Sequence, residues 1–173
     1  MQILGMKPGH DGAFALLQNA ELKFSFEAEK NSFLRFPPIS PSSLLDAAGL
    51  CDGIPDCIAL GGWSKGPQRA DFSVGAGYLG VGREHARIGT TKFFGKQVTL
   101  FEGTHESSHI WCSYGLSPFA GTFPCYALVW EGRIGRFYCL NEDGSVTAYP
   151  QVMVDPGGKY VFMFMLADPS YVD

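Results

Sequence analysis

The opening of the chain most constrains its fold, because three strand-like segments come before the first helical one. They lie at residues 3–6, 13–17 and 21–29, and the turns between them contain glycine, proline or asparagine. The third segment alternates polar and apolar side chains, as a half-buried strand does. Since turns this short join neighbouring strands in opposite directions, the sequence predicts a three-stranded antiparallel meander.

A helix and a buried strand follow the meander. Ser40 or Ser42 is placed to cap a helix that runs through residues 44–48 and ends at Gly49. Residues 55–62 are mainly apolar and small, which predicts a buried strand parallel to the first one. This order of elements predicts an α/β fold whose mixed sheet is flanked by helices.

Two stretches carry little periodic pattern. Several prolines predict a loop over residues 30–41. Residues 63–96 are rich in glycine, yet they contain neither a dinucleotide-binding fingerprint nor a Walker lysine motif. We interpret them as an insertion, or as a segment that becomes ordered against another chain or domain. His85, within this stretch, is predicted to be a surface or loop residue.

The second half of the chain combines further strands with a helix that contains two histidines. Thr104 is placed to cap this helix, which is predicted to end at Gly115. An apolar run at residues 159–166 is expected either to pack on this domain or to belong to a longer protein. Further strands are predicted at 98–101, in the two halves of 127–140, and at 145–149.

Composition and charge limit the classes of function. Hydrophobic residues make up 46% of the 173 residues and charged residues 17%, which suits one globular domain. The net charge of −4 argues against a nucleic-acid partner. Five scattered cysteines without a CxxC pair indicate a reduced, cytoplasmic setting. We expect no signal peptide and no membrane span, because no apolar run reaches roughly 18 residues.

The strongest chemical feature is the pair His105 and His109 in the predicted helix. Residues at this spacing lie on one face of a helix. Two imidazoles on one face can bind one metal ion, with further ligands from elsewhere in the fold. The alternative is an amphipathic helix whose histidines have no ligand role, and the residues alone leave both interpretations open.

Several short motifs, taken in order, resemble one known family over nearly the whole chain. They are Gly9-His10-Asp11-Gly12-Ala13, Phe26-Glu27-Ala28-Glu29-Lys30, His105-Glu106-Ser107-Ser108-His109, Ser117-Pro118-Phe119 and Val129-Trp130-Glu131-Gly132. Their order and spacing resemble the N-terminal part of O-carbamoyltransferases of the NodU/CmcH/TobZ type.

This resemblance implies the first lobe of an actin-like fold, of the ASKHA or ribonuclease H-like class. It also implies a C-terminal domain that makes carbamoyl-adenylate from carbamoyl phosphate and ATP. The actin-like domain then passes the carbamoyl group to a hydroxyl of a sugar, antibiotic or other small-molecule acceptor. Residues 1–173 would form a single domain, with the second lobe and the adenylating domain in the same gene or on another chain. A homodimer is left open.

The resemblance also assigns roles to individual residues. His105 and His109 become ligands of a divalent metal ion, iron by resemblance, and Glu131 stands where the family has an aspartate ligand. His10 matches the histidine expected to act as general base toward the acceptor hydroxyl. Asp11 is placed to orient the imidazole or the acceptor.

Departures from the family pattern keep alternatives open. Glu131 reaches one methylene further than aspartate, and Lys30 stands where the family has an arginine. The last acidic metal ligand and the adenosine pocket are expected outside these residues. One alternative is a non-catalytic module that binds metal, nucleotide or a partner chain. An actin-like sugar kinase is a weaker alternative, because the first turn offers His10 and Asp11 instead of the usual phosphate-contacting residues.

Overall fold

The computed structural model describes residues 1–32, 34–63, 73–168 and 170 of the chain. The chain forms two compact units, Met1–Ser108 and His109–Asp173. Each unit is built around its own β-sheet, and the boundary between them falls inside a helix.

The sheet of the first unit has six strands in the order β3-β2-β1-β4-β6-β5. β2 pairs antiparallel with both β1 and β3, which confirms the predicted meander. β4 lies parallel to β1 and to β6, while β5 lies antiparallel to β6. The α/β class and the mixed sheet are therefore confirmed. The strands are β1 Gln2–Lys7, β2 Ala13–Gln18, β3 Glu21–Glu27, β4 Cys57–Leu60, β5 Arg87–Phe93 and β6 Lys96–Glu102.

Two helices accompany this sheet. α2, Pro41–Gly49, begins at the predicted cap Ser40, whose side chain accepts the backbone N–H of Ser43. α1, Ala28–Ser32, was not predicted. The expected loop over 30–41 is therefore wrong at its start, because residues 28–32 are compatible with a helical turn and the first proline comes only at position 37.

The weakly patterned stretch 63–96 contains a strand that the sequence did not predict. β5 is the edge strand of the sheet, and most of its side chains are exposed. A solvent-exposed strand needs no apolar alternation, so its period-2 signal is absent. His85 lies exposed in a short 3-10 helix, Arg83–His85, as expected. Residues 64–72 of this stretch lie outside the described residues.

The core of the first unit lies between the sheet and α2. Ala47 of α2 is fully buried with Leu4 of β1 and Phe14 of β2. Ile58 of β4 and Val98 of β6 extend this core across the parallel strands. The burial of apolar area on one face of the sheet fixes the strand register, because a slip by one residue would expose these side chains.

The carboxyl ends of the parallel strands β1, β4 and β6 lie side by side. Met6 O accepts the Gly61 N–H at 2.8 Å, and Leu60 O accepts the Gly103 N–H at 2.9 Å. A Cβ on Gly62 would lie 2.1 Å from Gly77 O and 2.8 Å from Thr104 Cα. Glycine at this position therefore allows three backbone segments to approach closely where the strands end.

The second unit contains the antiparallel strands β7 Cys125–Glu131, β8 Ile134–Leu140 and β9 Val146–Val154. All three were predicted, although β9 continues beyond the expected end at residue 149. Tyr138 and Leu140 of β8 are fully buried. The helix α3, His105–Gly115, ends at the predicted glycine and crosses the unit boundary.

The apolar run at residues 159–166 forms most of the helix α4, Pro156–Ala167. The side chains from Tyr160 to Leu166 are all exposed, from 41% for Met165 to 73% for Tyr160. Among the described residues, no helix combines the length and the apolar character needed to cross a bilayer.

Candidate metal centre

The start of α3 is held in place by reciprocal capping. The Ser107 N–H donates to Thr104 Oγ1 at 2.9 Å, and the Thr104 N–H donates to Ser107 Oγ at 3.1 Å. Two backbone donors that the helix leaves unpaired are thereby satisfied. His105 follows the cap directly, is 6% exposed, and lies one turn before the half-buried His109.

Glu131 is the last residue of β7, immediately before the turn that leads to β8. The first turn of α4 holds this turn in place, because the Gly157 N–H donates to Gly132 O at 2.9 Å. A Cβ on Gly157 would approach Gly132 Cα to 2.9 Å, so a larger residue does not fit without a shift. The backbone at the end of β7 is therefore defined by both β8 and α4.

Helix α3 and the end of β7 bring His105, His109 and Glu131 together. One ligand atom from each side chain lies within 4.8 Å of the others. The boundary between the units falls inside α3, so the continuous helix itself places His105 relative to His109. Two imidazole nitrogens and one carboxylate oxygen suit a divalent transition metal and leave coordination positions open for another ligand.

The side chains of His10 and Asp11 lie within hydrogen-bond distance of each other in the turn after β1. His10 Nδ1 lies 2.7 Å from Asp11 Oδ2, and Asp11 has a φ of +57°. When Nδ1–H of a neutral imidazole donates to a carboxylate, Nε2 keeps its lone pair and can accept a proton. The His10 side chain is 45% exposed, so the imidazole as a whole is open to solvent.

A group of aromatic side chains connects His10 with His105 inside the first unit. The His10 ring stacks on Phe36 and on Trp63, with centroid distances of 4.7 and 5.3 Å. The His105 ring meets the Trp63 ring edge-on at 5.4 Å and stacks on Tyr78 at 4.6 Å. Two residues expected to have different roles therefore contact the same indole.

The segment that carries Tyr78 is bound to the start of α3. The backbone N–H groups of His105 and Glu106 donate to Gly77 O at 3.0 Å and to Tyr78 O at 2.9 Å. The buried carboxylate of Glu106 accepts the Gly80 N–H at 2.8 Å, and Thr104 Oγ1 donates to Gly80 O at 2.6 Å. These contacts define where the Tyr78 ring lies against His105.

Sequence reasoning missed Trp63, Tyr78 and Glu106. One signal pointed to Trp63, because it follows β4, whose parallel neighbours β1 and β6 precede His10 and His105. Residues that follow parallel strands gather at the carboxyl edge of the sheet, where α/β proteins bind ligands. Nothing comparable marked Tyr78, which lies in the glycine-rich stretch, or Glu106, which is buried through its bond to Gly80.

Comparison with known proteins gives similarity along the whole chain. The chain is 43% identical over 172 residues to a 3'-hydroxymethylcephem-O-carbamoyltransferase of Amycolatopsis lactamdurans, a match that covers 99% of this chain and 32% of that protein. It is 40% identical over 173 residues to a protein of the same name from Streptomyces clavuligerus, covering 100% of this chain and 33% of that protein. The chain matches no protein-family model.

A more distant similarity involves nodulation proteins. The chain is 30% identical over 157 residues to Nodulation protein U of Sinorhizobium fredii, a match that covers 78% of this chain and 27% of that protein. The resemblance inferred from the motifs is therefore confirmed. The chain spans about a third of the length of the curated carbamoyltransferases it matches, which fits an N-terminal part.

Proposed function

We propose that the chain is the N-terminal part of an O-carbamoyltransferase. The donor is carbamoyl-adenylate, made elsewhere in the protein from carbamoyl phosphate and ATP, and the acceptor is a hydroxyl of a sugar, antibiotic or other small molecule. The observation that carries this proposal is 40–43% identity, along the whole chain, to two proteins named as carbamoyltransferases. The half-exposed imidazole of His10, 2.7 Å from the Asp11 carboxylate, supports it.

His10 acts as the general base in this proposal. A hydroxyl is a weak nucleophile at neutral pH, and an imidazole within hydrogen-bond reach can take its proton during attack. Asp11 holds Nδ1, so Nε2 is the nitrogen that accepts the proton. The imidazolium that forms is stabilised by the same carboxylate, as in other histidine–aspartate pairs.

His105, His109 and Glu131 hold a divalent metal ion, which we propose to be iron. The donor set fits this choice, because two histidines and one carboxylate on neighbouring elements leave positions open for further ligands. When bound, such an ion supplies electrostatic stabilisation for negative charge on phosphate or carbonyl oxygens. Glu131 stands where the family has aspartate, and this difference favoured a non-catalytic module on sequence grounds. Its carboxylate nevertheless lies within reach of both imidazoles.

The remainder of the protein is the proposed partner of this chain. It would supply the second lobe of an actin-like fold, a further acidic metal ligand, the adenosine site and the adenylating domain, in a cytoplasmic enzyme. The exposed apolar side chains of α4 support this proposal, because they form a surface suited to cover by another protein segment. The relatives are about three times as long as the residues matched, and they offer such a segment.

The test uses the longer protein that contains this chain, with ATP, carbamoyl phosphate and a panel of hydroxyl acceptors. We expect a carbamoylated product in the mass spectrum. His10→Asn should abolish transfer but retain metal, whereas His105→Ala should lose both. If no acceptor is modified while ATP and carbamoyl phosphate are consumed normally, the proposal that this part of the protein transfers the carbamoyl group is wrong. Metal content that is unchanged in His105→Ala would overturn the ligand assignment.

A further inference from the structure

The indole of Trp63 contacts two imidazoles in different ways. Its ring plane lies 9° from that of His10, at a centroid distance of 5.3 Å. The Trp63 and His105 rings are nearly perpendicular, at 84°, with a centroid distance of 5.4 Å. One side chain thus touches both the proposed base and a proposed metal ligand. Neither the motifs nor the proposed reaction assigns it a role.

The position of this indole is strongly defined. The Trp63 backbone donates to and accepts from Val74, at 2.9 and 2.7 Å. A Cβ on Gly9 would lie 2.7 Å from Trp63 Cδ1, so the turn before His10 has room for the indole only because residue 9 is glycine. The Lys7 ammonium lies 5.6 Å from the ring centroid, a cation–π distance.

Each imidazole also stacks on a second aromatic side chain. Phe36 stacks on His10 with an interplanar angle of 13°, so His10 has near-parallel rings from two side chains. Tyr78 stacks on His105 at 23° and contacts Trp63 edge-on at 5.8 Å. Phe36 therefore contacts the His10 ring, and Tyr78 contacts the His105 ring. Trp63 contacts both imidazoles.

We propose that Trp63 is a positioning residue that sets the ring orientation of both His10 and His105. The part that concerns His10 as base rests on the proposed function. A base and a metal ligand must be held to within about 10–20° of their productive orientation, which packing against rigid rings achieves. Rings also exclude water from one side of an imidazole, which strengthens its remaining polar contacts. Replacement of this one indole changes both sites.

The test compares three matched variants of the longer protein: Phe36→Leu, Tyr78→Leu and Trp63→Leu. Co²⁺ affinity, from an absorption titration, reports on His105. The rate at which diethyl pyrocarbonate modifies His10, followed by mass spectrometry, reports on His10 without requiring activity. Trp63→Leu should weaken Co²⁺ binding about 10-fold, as loss of groups around a ligand does. It should also raise the modification rate about 3-fold, the effect of one lost aromatic contact.

The variants Phe36→Leu and Tyr78→Leu separate the effect on His10 from the effect on His105. Phe36→Leu should change mainly the modification of His10, and Tyr78→Leu mainly the affinity for Co²⁺. Transfer by Trp63→Leu should lose about 100-fold in kcat with little change in the acceptor KM, because misplacement of a reacting group affects the reaction step. Trp63→Phe, which keeps a ring, should recover part of each loss and provides the measurement if Trp63→Leu does not fold.

The proposal is overturned if Trp63→Leu or Trp63→Phe leaves either the Co²⁺ affinity or the His10 modification rate at the wild-type value. It is also overturned if Phe36→Leu or Tyr78→Leu changes both readings to the same extent, because a general loosening then explains them. If the wild-type protein shows no transfer but Trp63→Leu changes both readings, the positioning role stands and the proposed function fails.

Discussion

Glu131 is the residue on which the candidate metal centre depends most, because it is the proposed ligand that α3 does not supply. The two histidines come from one helix and would share a face in any fold that forms this helix. The carboxylate has to arrive from a strand twenty-two positions after His109, and the bond from Gly157 to Gly132 holds the end of that strand. Its extra methylene relative to aspartate is accommodated, since the cluster forms with glutamate.

Substitution of Glu131 tests whether these side chains bind metal. Glu131→Gln removes the negative charge at nearly constant shape and should weaken Co²⁺ binding at least about 100-fold, more than loss of a group outside the ligand set. Glu131→Asp keeps the charge but withdraws the oxygens by one methylene and should have a smaller effect. Affinity is measured by absorption titration.

Glu142 supplies the control for this substitution, because it lies in the β8–β9 turn, away from the cluster residues in sequence. Glu142→Gln changes the net charge equally and should leave Co²⁺ affinity unchanged. Equal weakening by Glu142→Gln and Glu131→Gln would attribute the effect to overall charge and contradict a ligand role.

At the scale of elements, the start of α3 links a helix cap to the segment that carries Tyr78. Thr104 accepts the Ser107 N–H and donates to Gly80 O with the same hydroxyl. Thr104→Val keeps the shape of the side chain and removes both bonds. We expect a loss of about 1–2 kcal/mol in the free energy of unfolding, the usual cost of an N-cap, measured by urea denaturation.

Thr104→Ser serves as the matched variant, because serine retains the hydroxyl and caps helices at least as well. It should stay within about 0.5 kcal/mol of the wild type. Metal affinity should fall in Thr104→Val, since His105 directly follows the cap. A Thr104→Val protein with unchanged stability would show that the cap contributes nothing.

Several elements could be predicted from a pattern of burial or a helix cap, whereas β5 and α1, which lack such a signal, were missed. The meander, β4 and α2 carry apolar faces or a serine cap, and each lies near its predicted place. β5 was missed because its side chains are mostly exposed at the edge of the sheet. α1 was missed because five residues are too few for a helical period to show.

The candidate site, too, could be predicted only where a local sequence pattern exists. Spacing within one helix predicts that His105 and His109 share a face. The approach of Glu131 to these histidines depends on contacts between residues distant in sequence. The same holds for the approach of Trp63 to His105. Glu131 was named only through the resemblance to a family, while Trp63 was found only in the structure. Local pattern predicts faces and turns, but tertiary contacts decide which side chains meet.

At the scale of the whole molecule, the apolar helix α4 stands out, because its side chains from Tyr160 to Leu166 are exposed in the part of the chain that the structure describes. The exposed fractions run from 41% for Met165 to 73% for Tyr160. A water-exposed helix normally carries polar residues on its outer side. The matched relatives are about three times longer, so we expect the remainder of the longer protein to cover this helix.

Leu166→Ser tests that expectation, with Leu116→Ser as control, because the two leucines are 69% and 73% exposed. In residues 1–173 alone, both variants should change the free energy of unfolding by less than about 0.5 kcal/mol. In the longer protein, Leu166→Ser should cost about 2 kcal/mol, the value for burial of a leucine side chain, while Leu116→Ser stays near zero. Binding of a hydrophobic dye should be strong in residues 1–173 and weak in the longer protein. Equal, small losses for both variants in the longer protein would mean that the remainder leaves α4 exposed.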